Sequence, residues 1–217
     1  MFGQSGAAAP RDRRGEHPDA IALPPPKYSS ACSVESALQQ RRVVTDYLPG
    51  ALTLPEVAQL AWAAQGVTDA ATGRRTAPSF EELYPVHLYL VVGNVQQLAA
   101  GVYRYESAGH ALTRLAAADM RAEVAKDALR QRWAANAPAL FVFTAEYDRA
   151  ARKFGERGAH YIDMEIGQIA QNVYLQAFAL QLGAAFIESF GNDDLMRLLS
   201  LPPQESPLGV MAIGRMP

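Results

Sequence analysis

The chain has 217 residues, with 20 Lys and Arg against 22 Asp and Glu, a net charge of −2 and scattered basic residues, so no nucleic acid partner is expected. Its 49% hydrophobic and 19% charged residues suffice for one core, as single domains of ~100–200 residues build. One cysteine, Cys32, excludes an internal disulfide. The histidines His17, His87, His110 and His160 share no ligand spacing, so no metal is expected, and no apolar run reaches the ~18 residues of a membrane span.

Residues 1–26 mix small residues, charges and prolines without a signal-peptide core. They read as a flexible tail before one domain over 27–217, with the cytoplasm as default compartment. Ser33 is placed as the N-cap of a short helix ending at Arg41 and Arg42. Thr53, Leu54, Pro55 and Glu56 form a capping box for a second helix, with Val57, Leu60, Ala61 and Ala64 at helical spacing and Gly66 as its stop. Residues 67–85 read as a long loop of the kind that carries function.

Strands are predicted over 87–92 and 102–105, joined as an antiparallel pair, with a turn at 107–109. A helix over 119–136 and a buried strand over 140–144 follow. The spacing of Ile162, Ile166, Ile169, Val173 and Leu180 predicts a long core helix over 161–182, stopped by Gly183. A strand over 185–187, a helix over 193–199 capped by Asn192 or Asp193, and a strand over 210–213 complete an α+β order.

The long helix also carries Glu165, Gln168, Gln171, Asn172 and Gln176, and buried amides need partners or cost ~1–3 kcal/mol each. Read alone, these residues either meet a polar neighbour or face solvent. Arg41 and Arg42 fit either an exposed helix end favoured by the macrodipole or an anion grip, and Lys153, Glu156 and Arg157 fit a surface ion cluster. Tyr84, Tyr103, Tyr105 and Trp62 read as core or interface aromatics.

ALQQRRVVTDY, LTLPEVAQLAWAAQGV, GRRTAPS with LYPVHLYLVV, GVYRY, KFGERGAHYIDMEIGQIAQNVYLQAFALQLG, IESFGNDDLMRLL and the terminal IGRM together carry a family likeness. Over residues 22–217 the chain resembles the SagB-type, or thiazole-oxidase-like, dehydrogenases of the nitroreductase superfamily. The resemblance implies an α+β nitroreductase-like fold, with a central antiparallel-rich sheet flanked by helices and a long buried core helix. It also implies a homodimer holding FMN in a cleft built from both subunits. The activity implied is an oxidoreductase passing hydride through flavin N5 in two half-reactions, on a small-molecule or peptide substrate.

Carried over by position, the phosphate and ribityl contacts fall on Arg41, Arg42, Val43 and Arg215. Pro78 and Ser79 match the loop along the isoalloxazine, and Gln171 and Asn172 the polar edge of the helix. Glu188 and Ser189 match the backbone beside N5, and Lys153 an acid/base position. The chain departs from the family pattern at Val43 and Thr45, where serine and arginine are usual, and at Glu81 and Glu82, where small residues are usual. It departs also at Gln168 for histidine, at Glu188 for glycine, and at Phe154 for the tyrosine of azoline-forming relatives. A phenyl ring transfers no proton, which disfavours azoline oxidation. The rival expectation is a divergent, flavin-free chain of the same fold acting as a binding or partner subunit.

Overall fold

The computed structural model describes residues 20–217. It opens with β1 (Ala20–Ala22), α1 (Val34–Gln40), β2 (Leu52–Thr53), α2 (Leu54–Gln65), β3 (Val67–Asp69) and β4 (Arg74–Arg75). After a 3₁₀ turn at Phe80–Glu82 come β5 (Val86–Val92), β6 (Val95–Gln96), β7 (Gly101–Glu106) and β8 (Ala111–Ala116). Next are α3 (Arg121–Glu123), a wide turn at Val124–Ala128 and a 3₁₀ turn at Arg132–Asn136. The chain closes with β9 (Ala139–Ala145), α4 (Tyr147–Phe154), α5 (Arg157–Ala179), β10 (Leu182–Ile187), α6 (Asn192–Leu199) and β11 (Ser206–Arg215).

Seven strands form one sheet in the order β1-β8-β7-β5-β9-β11-β10, and every neighbouring pair is antiparallel. The centre is β5 and β9, paired from Val86 with Ala145 to Val92 with Ala139. Both are covered on both faces, so VHLYLVV and ALFVFTA read as nearly continuous apolar runs rather than alternating ones. Leu88, Leu90, Phe141 and Phe143 face α2 and α5, packing with Leu60, Ile162 and Ile169. The alternate residues Tyr89, Val91, Leu140 and Val142 face the opposite layer, with Val124, Leu129 and Leu195.

A polar group is built into this second face. Glu205, 2% exposed, accepts hydrogen bonds from the Tyr89 hydroxyl at 2.9 Å and from the Thr144 hydroxyl. Its charge and burial push the Tyr89 phenol well above its ordinary value, burial being the larger cause.

Several boundaries differ from the sequence expectation. Residues 20–26, placed in the tail, contain a strand: β1 pairs with β8 and Leu23 is buried, while residues 1–19 lie outside the described residues. The expected helix over 119–136 is broken. Its Leu129 N–H donates to the Val124 carbonyl, five residues back, and Arg130 turns left-handed at φ 54°. The widened turn lets Val124, Ala125, Ala128 and Leu129 all reach the sheet, so packing overrides helix propensity.

The long helix starts earlier than expected, after Gly155 at φ 60°, and stops at Gln181, φ 58°, rather than at Gly183. Gly183 lies in β10, where an added Cβ would sit 2.6 Å from Val44. Glycine there lets the segment after α1 run along the edge of β10, with Val44 N–H donating to the Ala184 carbonyl. No described helix is long and apolar enough to cross a membrane.

Candidate functional site

The expected site residues lie along α5 in three places. At the C-terminal end of the helix, Arg41 and Arg42 flank a hollow of about 250 Å³ walled by Tyr174, Phe178, Leu182 and Met216. Ser33 caps α1, its hydroxyl accepting from Ser36 N–H at 3.1 Å, and so fixes where the helix delivers the two arginines. The Arg41 guanidinium lies 5.3 Å from the centre of the Tyr174 ring, while Arg42 donates to the carbonyls of Gln39 and Arg41. Among the described residues neither arginine has a carboxylate partner within ion-pair distance. The Tyr174 hydroxyl accepts from Phe186 N–H at 2.7 Å. Burial raises its phenol, and Glu188 adds to that while Arg41 and the Phe186 N–H oppose it.

Glu188 and Ser189 are exposed, directly after β10, near this end of α5. The Val43 side chain is 60% exposed, and its backbone bridges to Ala184. Tyr174 is the residue that sequence reading missed. It stands three positions after Gln171, so helical spacing alone puts it near the proposed polar edge.

At mid-helix, Asn172 donates to the Thr76 carbonyl at 3.2 Å, and Gln176 accepts from Gln59 at 3.1 Å. Both line an open groove of about 560 Å³ between α2, α5 and the segment before α1, together with Tyr28, Cys32 and Trp62. Gln171 is half-buried and Gln168 exposed. The polar residues of α5 therefore divide between partners inside the chain and solvent.

Toward the N-terminal end of α5 lie Pro78, Ser79 and Lys153. Pro78 is exposed, and the Ser79 hydroxyl accepts from Tyr84 N–H at 2.8 Å. Lys153 is 3.2 Å from the Glu81 carboxylate and Glu82 is 2.8 Å from Arg74, so both unexpected carboxylates carry a counter-charge. These pairs are exposed and individually weak. Ser79 shares its small cavity with Glu165, whereas Arg41 stands over Tyr174 nine residues further along α5, about 13 Å at ~1.5 Å per residue. Among the described residues, the hollow beside the arginine pair is lined by neither Pro78 nor Ser79.

Arg215 is engaged inside the chain. It ends β11, paired with Leu182, and its guanidinium donates at 2.6 and 2.8 Å to the two Glu56 oxygens and at 3.2 and 2.8 Å to the Ala51 carbonyl. Four of its five N–H groups are thereby used inside the chain. Burial alone would raise the Glu56 carboxyl, but the Arg215 and Thr53 hydrogen bonds prevail and hold it below the usual range.

Comparison with known proteins agrees with this fold. A protein of Methanocaldococcus jannaschii, assigned by name to the nitroreductases, is 37% identical over 182 residues, 84% of this chain and 90% of its own. A crystal structure from Ralstonia eutropha, also assigned by title to the nitroreductases, superposes with a TM-score of 0.79 at 27% identity, over 92% of this chain and 90% of that one. The NADPH:FMN oxidoreductase of Vibrio harveyi shares the fold at a TM-score of 0.60 and 18% identity, over 84% of this chain and 68% of that one. The model of the nitroreductase family matches residues 38–215, and with this sheet and helix order the chain belongs to that family.

Proposed function

We propose that the chain is an FMN-dependent oxidoreductase working as a homodimer, with each cleft assembled from two subunits. The observation that carries this reading is the pair of arginines, without carboxylate partners among the described residues, beside a hollow walled by Tyr174, Phe178 and Met216. Two guanidiniums of that kind suit a phosphate. At about 250 Å³ the hollow falls below the ~300–1,000 Å³ usual for cofactor pockets, so one chain offers part of a site. Pro78 and Ser79, remote from that hollow, are the segment a second chain would bring to it.

Bound FMN would supply the redox chemistry, a hydride accepted from one substrate and passed to a second, small-molecule or peptide, in the same cleft. Arg41 and Arg42 would hold its phosphate, and Tyr174 keeps Arg41 in place through the face of its ring. Tyr174 also fixes the end of β10 through Phe186 N–H, which sets where Glu188 and Ser189 emerge. Lys153 is engaged with Glu81 and is followed by Phe154 rather than a proton-transferring residue. Within a SagB-type reading this favours a dehydrogenase other than an azoline oxidase.

The engagement of Arg215 with Glu56 favours the second reading, a flavin-free binding or partner subunit. Absorbance of the purified protein, followed by fluorescence titration with FMN, separates the two. The oxidoreductase reading expects about one FMN per chain, and a colourless protein that takes up no added FMN would overturn it.

A further inference from the structure

One interior polar group that the proposed chemistry does not use is Glu165. It lies on α5 with 3% exposure, and among the described residues neither its Oε1 nor the Nε2 of the neighbouring Gln65 on α2 has a partner within ordinary hydrogen-bond distance. The Gln65 carbonyl oxygen is occupied by Arg75 Nη1 at 2.6 Å. Buried polar atoms without partners are rare because each costs ~1–3 kcal/mol, and here two of them belong to neighbouring side chains.

Beside it runs a strained stretch of chain. Glu81, Glu82 and Tyr84 have φ of 48°, 55° and 49°, the left-handed region that costs a side-chain-bearing residue ~1–2 kcal/mol. Phe80 stacks on Tyr161 at 4.0 Å and meets Phe154 edge-on, Arg75 covers the Tyr84 ring at 4.6 Å, and Tyr84 N–H donates to Ser79. Those contacts keep Ser79 against a cavity of about 10 Å³ that Glu165 also lines.

We propose that Glu165 is a proton-dependent positioning residue for the Pro78 and Ser79 segment, which is seated when the carboxyl carries its proton and loosens when it does not. The reason is linkage. A seated segment keeps the carboxyl dry, and burial, opposed by Ser79, Gln65, Arg75 and Arg149, pushes it up to about 7 from 4.5. A loosened segment admits water and restores the ordinary value. The seated state thus binds the proton more tightly, and its advantage, full at low pH, is lost as pH rises through about 7.

The groups facing Glu165 are few. Charge comes from Arg75 on β4 and from Arg149 on α4. Gln65 on α2 and Ser79 do not titrate in this range, Phe154 and Leu83 are apolar, Tyr161 on α5 lines the same cavity, and the Tyr84 and Tyr105 phenols lie beyond Arg75. The inference rests on the flavin reading only for its consequence, since the segment expected along the flavin is the one that moves.

The test is amide hydrogen exchange by mass spectrometry on the protein as purified, at pH 6 and pH 8, corrected for intrinsic rates. Protection of residues 76–84 should fall about tenfold between the two, as the shift from 4.5 to about 7 requires, while residues 139–145 show no such step. Glu165→Gln, which keeps a neutral amide in place, should abolish the step. A flat profile in the parent overturns the proposal even if the variant fails to fold, and so does an unchanged step in Glu165→Gln. Neither outcome depends on FMN, so failure of the flavin reading would be seen separately.

Discussion

Arg215 shows how much one contact alters a residue's meaning. Third from the last residue of the sequence, it invited assignment to a ligand, because terminal segments are otherwise tolerant of change. Its place at the end of β11 and its four hydrogen bonds give it structural work. Arg215→Ala should therefore lower stability by ~1.5–3 kcal/mol in a denaturant titration, the range for a lost charge-assisted bond. Glu56 is held below its ordinary 4.5, so the pair stabilises above that pH and the benefit is lost on acidification. The parent should lose stability on going from pH 6 to pH 3 and Arg215→Ala should lose less, whereas equal losses would deny the pair its role. Arg41→Ala, by contrast, should leave stability within about 0.5 kcal/mol and weaken FMN binding ~10- to 150-fold by fluorescence titration. The arginine types were legible in the sequence. The pairing of Arg215 with Glu56 was not, since the two stand 159 positions apart and only the folded sheet brings them together.

At the scale of elements, legibility followed how local the determining physics is. The box at Thr53 and Glu56 was readable because both partners lie in one turn: Glu56 N–H donates to the Thr53 hydroxyl and Thr53 N–H donates to Glu56 at 2.7 Å. Strands β5 and β9 were readable because burial on both faces leaves a continuous apolar run. Residues 119–136 were misread as one helix because Ala, Arg and Lys favour it locally, and the widened turn answers to a sheet face supplied by distant strands. Glu56 serves both the helix cap and Arg215, so the start of α2 is tied to the end of β11. Thr53→Ala alone should cost ~1 kcal/mol. Combined with Arg215→Ala it should cost measurably less than the sum, because each change frees the same carboxylate. Additive losses in a double-mutant cycle would separate the cap from the pair.

For the whole molecule, the described chain leaves several large apolar side chains open to solvent. Tyr28 is 80% exposed, Val34 65%, Leu38 56%, Val43 60% and Met164 45%. On α5 the outer face carries Met164 and Gly167, and around Gly167 an added Cβ would meet nothing within 4 Å. Glycine inside a helix costs ~1 kcal/mol against alanine, and an exposed one contributes nothing to its own chain. Close approach of a second helix would use it, and obligate interfaces commonly bury more than ~2,000 Å². Periodicity revealed this helix but does not say whether a partner meets its outer face, since an apolar position reads alike against a core and a partner. If two subunits meet there, a carboxylate at Met164 is forced into the contact, and an unpaired buried charge costs several kcal/mol. Met164→Glu should then convert a dimer into a monomer by light scattering at micromolar concentration, with its far-UV circular dichroism intact. The same variant should lose FMN binding, because the arginine pair and the Pro78 and Ser79 segment would no longer face each other. A monomeric Met164→Glu that binds FMN as the parent does would place the whole cleft within one chain and sink the two-subunit reading.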